Sequence, residues 1–486
     1  MRRALLLPLA LFVGLTAHVG SPDVVYEGSA GPYPVHVIVR PPMVVPGIAH
    51  VIVQLDSANA TRVTVRPVFW RAGVSGAPKG DVAARIAGEK NMYAGQLWLM
   101  FRGSYSVYVT VDGARGSGTA IVPVSSFATG RLALSRGFGA ILIVAGAILF
   151  AGLVTIVRAA SGEALLEPGQ QPDAAAKRRV RRTTLLATPS FALLVFGGAK
   201  WWTSVDGDYS RTMYRPPAVD VEVHGAKLDL RLHDTAAFHA LYAPVIPDHG
   251  KMMHLFLIEP GTHAGFGHFH AEELDSLHFR SDLSGWPKGK YKLFADVVLA
   301  NGLSQTVTTV LDWPGDEVVH ANVDGDDSWW PACTGEVGSR EKAVAICYGY
   351  RMSWAGGETS FVAGRPVDLR FDVRDEHGAI AHLLPYMGMA GHAVVLSQDE
   401  SVFIHLHPMG TVSTSAQAAF AARDRGDTTA SGRLRLPPDT MAMPMNFDGH
   451  VAFPYEFPKP GRYRIWVQVK PPYAQVLTGA FDIDVR

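Results

Sequence analysis

Two short histidine pairs, His268-x-His270 and His405-x-His407, are the residues of this 486-residue sequence whose type and spacing could do chemistry. In a β-strand the side chains at i and i+2 point to one face, so each pair presents two imidazoles together. A further histidine precedes each pair at a similar remove, His254 before the first and His392 before the second. A hairpin neighbour would bring it beside the pair. Three converging imidazoles can hold zinc or copper, because imidazole is a borderline ligand that both accept. Methionines crowd the second group: Met387, Met389 and Met409 lie close in sequence, and Met441, Met443 and Met445 follow before Asn446 and His450. A thioether beside imidazoles favours copper, Cu(I) above all, over zinc.

The expectation is a copper site at His392, His405 and His407, with Met387, Met389 or Met409 as the soft partner, near a sheet surface. A second site is expected at His254, His268 and His270, with zinc the weaker choice of metal at either. A lone strand histidine is more often a satisfied structural residue, and methionines often fill cores, so the duplicated pattern carries this expectation. His249 and His263 flank the first group as helpers, while His278, His320 and His377 read as surface or turn residues. Asp324, Asp326 and Asp327 have a spacing that suggests calcium, but no glutamate follows in EF-hand register, so they read as a solvated loop.

The elements that must position these residues form an internal repeat. One copy reads HGKMMHLFLIEPGTHAGFGHFHAE and later PKGKYKLFADVV; the other reads MGMAGHAVVLSQDESVFIHLHPMG and later PKPGRYRIWVQVK. In each, a histidine opens an apolar run, a short loop follows, then an aromatic residue, Phe266 or Phe403, stands two before the histidine pair. A Gly-Lys/Arg-Tyr sequence leads into a final strand. This predicts two related sandwiches at 210–318 and 319–486. Short alternating runs between Pro and Gly predict another β-sandwich over 21–130.

Two apolar segments interrupt the β pattern. Gly137 to Val157 contains no charged residue and is long enough to cross a bilayer, and 183–200 is a shorter candidate that contains Pro189 and ends before Trp201 and Trp202. The loop 158–182 between them carries Arg158, Lys177, Arg178, Arg179, Arg181 and Arg182, which the positive-inside rule puts in the cytoplasm. Residues 1–20, with Arg2 and Arg3 before an apolar run, have the build of a secretory signal peptide. The expected fold class is therefore mainly β, tandem Ig-like or cupredoxin-like β-sandwiches plus two transmembrane helices, with the folded domains on the periplasmic or extracellular side of the cell membrane.

The tract MGMAGHAVVLSQDESVFIHLHPMG, followed by FPYEFPKPGRYRIWVQVKPPYAQVLTGAFDIDV, resembles a bacterial family of uncharacterised membrane-anchored periplasmic proteins related to the YtkA-like and FixH-like β-sandwich domains. AGPYPVHVIVRPPMVVPG, QLWLMFRGSYSVYV and GARGSGTAIVPV resemble the first domain of that family. The resemblance implies an extracytoplasmic location and a link to copper or other heavy metals, with no established enzymatic activity.

Composition narrows the function classes. Lys plus Arg equals Asp plus Glu at 44 each, so no global field favours nucleic acid. Of 19 histidines only His18, His36 and His50 precede residue 201, which puts the chemistry in the C-terminal half. Gly-x-Ser-x-Gly, a P-loop and a dinucleotide-binding glycine motif are all absent from the sequence. The only cysteines, Cys333 and Cys347, are expected to form a disulfide, since they lack the spacing of a thiolate metal site. The leading expectation is a membrane-tethered periplasmic protein that captures or passes copper, with the metal ion and the lipid bilayer as partners. The alternatives are a copper-dependent oxidase or monooxygenase, and a metal-free module that recognises another envelope protein.

Overall fold

The computed structural model describes residues 23–486 apart from 57–59, 165, 168, 234–242, 316–323, 331–334, 357–359, 430–432, 437–445 and 473–474. The expected signal peptide, Cys333 with its pairing to Cys347, His320, and Met441, Met443 and Met445 lie outside the described residues. The chain divides into two units: Met1–Phe127 with Arg215–Arg486, and Ala128–Tyr214.

The N-terminal part of the first unit is the expected sandwich. The Gly47–Leu55 strand buries every second residue, so one face is core and the other is wet. Together with Val24–Ala30, Tyr33–Arg40, Met92–Leu99 and Ala84–Arg85 it makes one sheet; Ala60–Phe69, Gly103–Gly113, Gly116–Ser126 and Asp81–Val82 make the other. Their inward faces share one core, in which Val35, Val37, Val51 and Val53 pack with Val63, Val65, Val107 and Val109.

The second unit consists of helices α1 (Arg136–Glu163) and α2 (Ala174–Arg211). With a mean hydropathy of 2.8 over its best window, α1 is long and apolar enough to cross a membrane. It is the only such helix among the described residues, where two were expected. The second segment is helical, yet it is the middle of a 38-residue helix whose polar ends and internal Pro189 dilute the apolar stretch.

The repeat is real in three dimensions. In copy one, strand Met253–Ile258 lies between Phe266–Asp275 and Gly289–Leu299, and Ser304–Trp313 pairs outside the last. In copy two, His392–Ser397 lies between Phe403–Leu406 and Gly461–Val469, with Leu477–Val485 outside. The registers also match, since Phe256 faces His268 as Val394 faces His405, and His254 faces Asp296 as His392 faces Gln468.

The two copies share a core. Phe256, Phe266 and Phe294 of copy one pack with Val394, Phe403 and Trp466 of copy two. Equivalent rings stack reciprocally: Phe294 lies 4.1 Å from Phe403, and Trp466 lies 4.7 Å from Phe266. Each such pair contributes about 0.5–1.5 kcal/mol beyond its area burial. Strand Ser328–Trp330 falls on the copy-two side of the expected boundary at 318/319, but it hydrogen-bonds to the Phe266–Asp275 strand of copy one. Copy two also has a core of its own, built from Leu369, Phe371, Phe453, Ile465 and Phe481 among others.

The turn after His407 docks on the N-terminal sandwich. The Glu27 N–H donates to the Met409 carbonyl at 3.0 Å, and the Thr411 N–H donates to the Val25 carbonyl at 2.9 Å. Arg40 clasps the fully buried Glu456 carboxylate through both oxygens at 2.8 Å.

Candidate metal centre

The reciprocal packing has a direct chemical consequence: the histidine-bearing strands of the two copies face one another. His254, His268 and His270 of copy one and His392, His405 and His407 of copy two are all buried, none more than 7% exposed. The expected pair of separate sites near a sheet surface is therefore corrected to one enclosed cluster between two sheets. Seven imidazoles belong to it, because His249 joins with its side chain 4% exposed.

Two groups of three imidazoles have ligand nitrogens within 4.8 Å of one another, and each mixes the copies: His254, His268 and His405 in one, and His249, His392 and His407 in the other. Ring centroids in the first are 5.0 to 5.4 Å apart, and in the second 4.7 to 5.5 Å.

Hydrogen bonds fix the tautomers in the first group. His254 Nε2 lies 3.1 Å from the Asp248 carbonyl, which can only accept, so Nε2 carries the proton and Nδ1 is a lone pair. His268 Nδ1 lies 2.9 Å from Gln468 Oε1, and the Gln468 amide nitrogen donates to Ser328 Oγ, which leaves the amide oxygen to accept. His268 Nε2 is therefore also a lone pair. These two nitrogens, His254 Nδ1 and His268 Nε2, face each other at 3.2 Å. Two lone pairs at that distance repel, whereas a tetrahedral metal with nitrogens at 2.0–2.1 Å sets them roughly 3.3 Å apart. Tyr386 supports the arrangement: its hydroxyl lies 3.2 Å from His268 Nδ1 and donates to the Asp326 carbonyl at 3.0 Å.

His270 is oriented by the carboxyl group of Asp327, 2.9 Å from its Nδ1, and its Nε2 has no hydrogen-bond partner among the described residues. Asp327 also accepts from the His270 N–H at 3.0 Å. Burial pushes its carboxyl up to about 8. Asp327 is thus a structural support, while Asp324 stays exposed in a turn, in line with the expected solvated loop. The acidic run is a poor cation site, because Lys251 already sits 2.6 Å from Asp324 and 3.2 Å from Asp326.

The second group is bare by comparison. Among the described residues neither ring nitrogen of His392 or of His407 has a hydrogen-bond partner, and neither does Nε2 of His249 or of His405. An unsatisfied buried polar group costs about 1–3 kcal/mol. Asp248 supplies negative charge here, 3.7 Å from His249 Nε2. Its carboxylate accepts from the Ser415 N–H and the Thr414 hydroxyl at the start of helix α3 (Thr414–Arg425), where the helix dipole favours an anion. Burial pushes Asp248 up, but the surrounding His249, His407 and His254 with the Ser415 N–H outweigh it and hold the group well below the usual carboxylate range.

Burial sets the protonation of the cluster. It lowers His254 to about 4 and His407 to about 3, and holds His268, His270, His392 and His405 well below the ordinary histidine value. At neutral pH these imidazoles are uncharged, the form that binds metal.

The expected soft partners have packing partners of their own. Met387 packs with Tyr386 and Val476, Met389 is buried in the same turn, and Met409 packs against the N-terminal core. Met387 occupies the copy-two place of His249: both follow a residue bridged to the position three ahead, both have positive φ, 48° and 53°, and both precede a glycine. That shared turn, DHGK against YMGM, is the signal by which His249 could have been recognised. Likewise Gln468 and Asp296 occupy equivalent positions, and each reaches the other copy's pair: Asp296 lies 3.8 Å from His405 Nδ1. His263 contacts Glu400 at 3.3 Å and His278 contacts Asp229 at 3.3 Å, outside the cluster, and His377 is exposed.

No curated protein matches the chain. Among solved structures it is similar to dimeric latent PorU from Porphyromonas gingivalis, at 6% identity and a TM-score of 0.15 over 96% of this chain and 34% of that one. The chain thus spans about a third of that protein's length. It is also similar to a protein described as membrane anchored from Corynebacterium diphtheriae, at 9% identity and a TM-score of 0.14 over 95% of each chain. The D00-D0 domain of intimin shares 11% identity with a TM-score of 0.12, over 54% of this chain and 99% of that one. Likenesses this distant carry no argument. The family model described as a domain of unknown function, DUF8832, matches residues 344–486, the part of the chain that contributes His392, His405 and His407 to the centre.

Proposed function

We propose that this is a membrane-tethered extracytoplasmic protein that holds copper at a histidine centre built jointly by its two repeats. The observation that carries the reading is the pair of lone pairs on His254 and His268 that face each other at 3.2 Å, each fixed by a hydrogen bond on the far side of its ring. Such outer hydrogen bonds are the usual partners of metal-ligating histidines. An all-imidazole donor set accepts both copper and zinc, and Cu²⁺ stands above Zn²⁺ in the affinity order. The enclosure of the cluster favours retention over rapid hand-off, so the function is holding the metal rather than relaying it.

The tether reading joins two observations. The apolar helix α1 leaves a compact unit at Phe127, and the chain rejoins that same unit at Arg215 after α2. Both ends of the helical pair therefore belong on one side of a membrane, so α2 must return the chain that α1 carries across. The basic residues of the expected loop fall within the helices, Arg158 near the end of α1 and Lys177, Arg178, Arg179, Arg181 and Arg182 near the start of α2, and they support a cytoplasmic turn and extracytoplasmic Ig-like or cupredoxin-like sandwiches.

The test is metal retention by the full-length protein, purified in detergent without a histidine tag, exposed to copper or zinc and then dialysed. Stoichiometric copper is expected, and a His254→Ala, His268→Ala double variant should retain less of it. A wild-type protein that retains neither metal sinks the proposal; retention of zinc alone replaces copper. For the tether, single cysteines at Gln171 and Ser304 should label from opposite sides, and labelling from one side refutes the topology.

A further inference from the structure

Resting on the metal-binding reading above, we infer that the centre takes two transition-metal ions rather than one, each ligated by histidines from both repeats. The first ion is assigned to His254, His268 and His405, and the second to His249, His392 and His407.

The donor count requires more than one ion. A tetrahedral metal uses at most four protein ligands, yet seven imidazoles are buried together. Satisfying the first group leaves His392 and His407 with both ring nitrogens unpartnered among the described residues, and His249 with Nε2 in the same state. Three adjacent buried imidazoles of this kind make a second donor set, not a by-product of the first. The seventh ring, His270, is steered by Asp327 and lies 4.7 Å from His268, tilted, and 5.2 Å from His254, edge-on, beside the first group.

The two groups are in contact. His405 of the first lies 4.5 Å from His407 and 5.3 Å from His392 of the second, ring centre to ring centre. Asp248 touches both, with its carbonyl on His254 and its carboxylate near His249. That buried carboxylate offsets part of the charge two cations would bring. Each group also crosses the repeats in the opposite sense: the first takes two ligands from copy one and one from copy two, the second the reverse. Neither copy holds a complete set, so the pair forms only when the two sheets are packed together.

The experiment uses the full-length, untagged protein loaded with Cu(II) sulfate and dialysed, with copper per chain measured by mass spectrometry and spin counting by electron paramagnetic resonance. Two coppers per chain are expected, with an integrated signal well below two spins because neighbouring Cu(II) ions couple. A His249→Asn, His407→Asn variant should hold one copper and show a full one-spin signal. One copper per chain in the wild type overturns the pair while leaving the metal-binding reading intact, whereas no copper overturns that reading itself. Two coppers retained by the variant overturn the assignment of the second ion.

Discussion

Copy one and copy two each contribute three equivalent histidines to the centre, copy one adding His249, but hold the equivalent rings differently. In copy one the three equivalent rings are braced: His254 by the Asp248 carbonyl, His268 by Gln468 and Tyr386, and His270 by Asp327. In copy two His392 and His407 have no such brace among the described residues, and His405 has only Asp296 at 3.8 Å. The difference teaches that equivalent rings can be held in two ways, one half as a preset template and the other dependent on what it binds.

Acidification should produce the largest effect. A histidine whose folded value is depressed contributes stability that is present above its ordinary value of 6.5 and is lost as pH falls below it, because the unfolded chain takes up the proton first. For His254 the loss runs from about 6.5 down to about 4, and for His407 down to about 3. Each histidine adds a slope of about 1.4 kcal/mol per pH unit. Denaturant melts of the metal-free protein between pH 7.5 and 5 should show steep destabilisation, and a flat profile would mean the rings are not buried neutral.

Metal should act next in size and in the opposite direction. Copper at a thousandfold excess over its dissociation constant stabilises the folded state by about 4 kcal/mol per site. Thermal unfolding with and without copper, and after chelation, reads this directly. Unchanged melting would break the account of copy two as a half that depends on its ligand.

The braces themselves should be worth less. Gln468→Leu frees the His268 tautomer, and loss of such a partner lowers metal affinity about 10- to 100-fold. Asp296→Leu, at the equivalent position but farther from its ring, should change affinity by less. Equal effects in competition titrations would erase the asymmetry.

The smallest effect is a difference of sign in the metal-free protein. His392→Leu removes a ring with no partner among the described residues and should be neutral or stabilising by about 1–2 kcal/mol, while His268→Leu orphans Gln468 and should cost about 1–3 kcal/mol. Urea midpoints of the two variants decide it.

Much of this was legible in the sequence, and the illegible part has a physical cause. The alternation around Val51 and Val53, the uncharged run of α1 and the repeated histidine pairs are local patterns, which a period of two or an unbroken apolar stretch reveals. Which sheet faces pack together is not a local property. Nothing in the spacing of His392, His405 and His407 tells that they meet His249 and His254 from a segment more than a hundred residues away. The same limit hid the braces, since Gln468 reaches His268 across the two copies. Where the methionines near the pairs pack is likewise hidden from spacing, since Met387 lies with Tyr386 and Val476 and Met409 against the N-terminal core. In the second helix, the apolar segment was visible but its continuation to Arg211 was not.

The central claim is that one metal is held by residues of both repeats. Anomalous diffraction at the copper edge, from crystals of the copper-loaded full-length protein, tests it most directly. The account predicts a peak bounded by His254 Nδ1, His268 Nε2 and a ring nitrogen of His405, whereas copper bound only at the methionines of residues 441–445, or by histidines of a single copy, would contradict it.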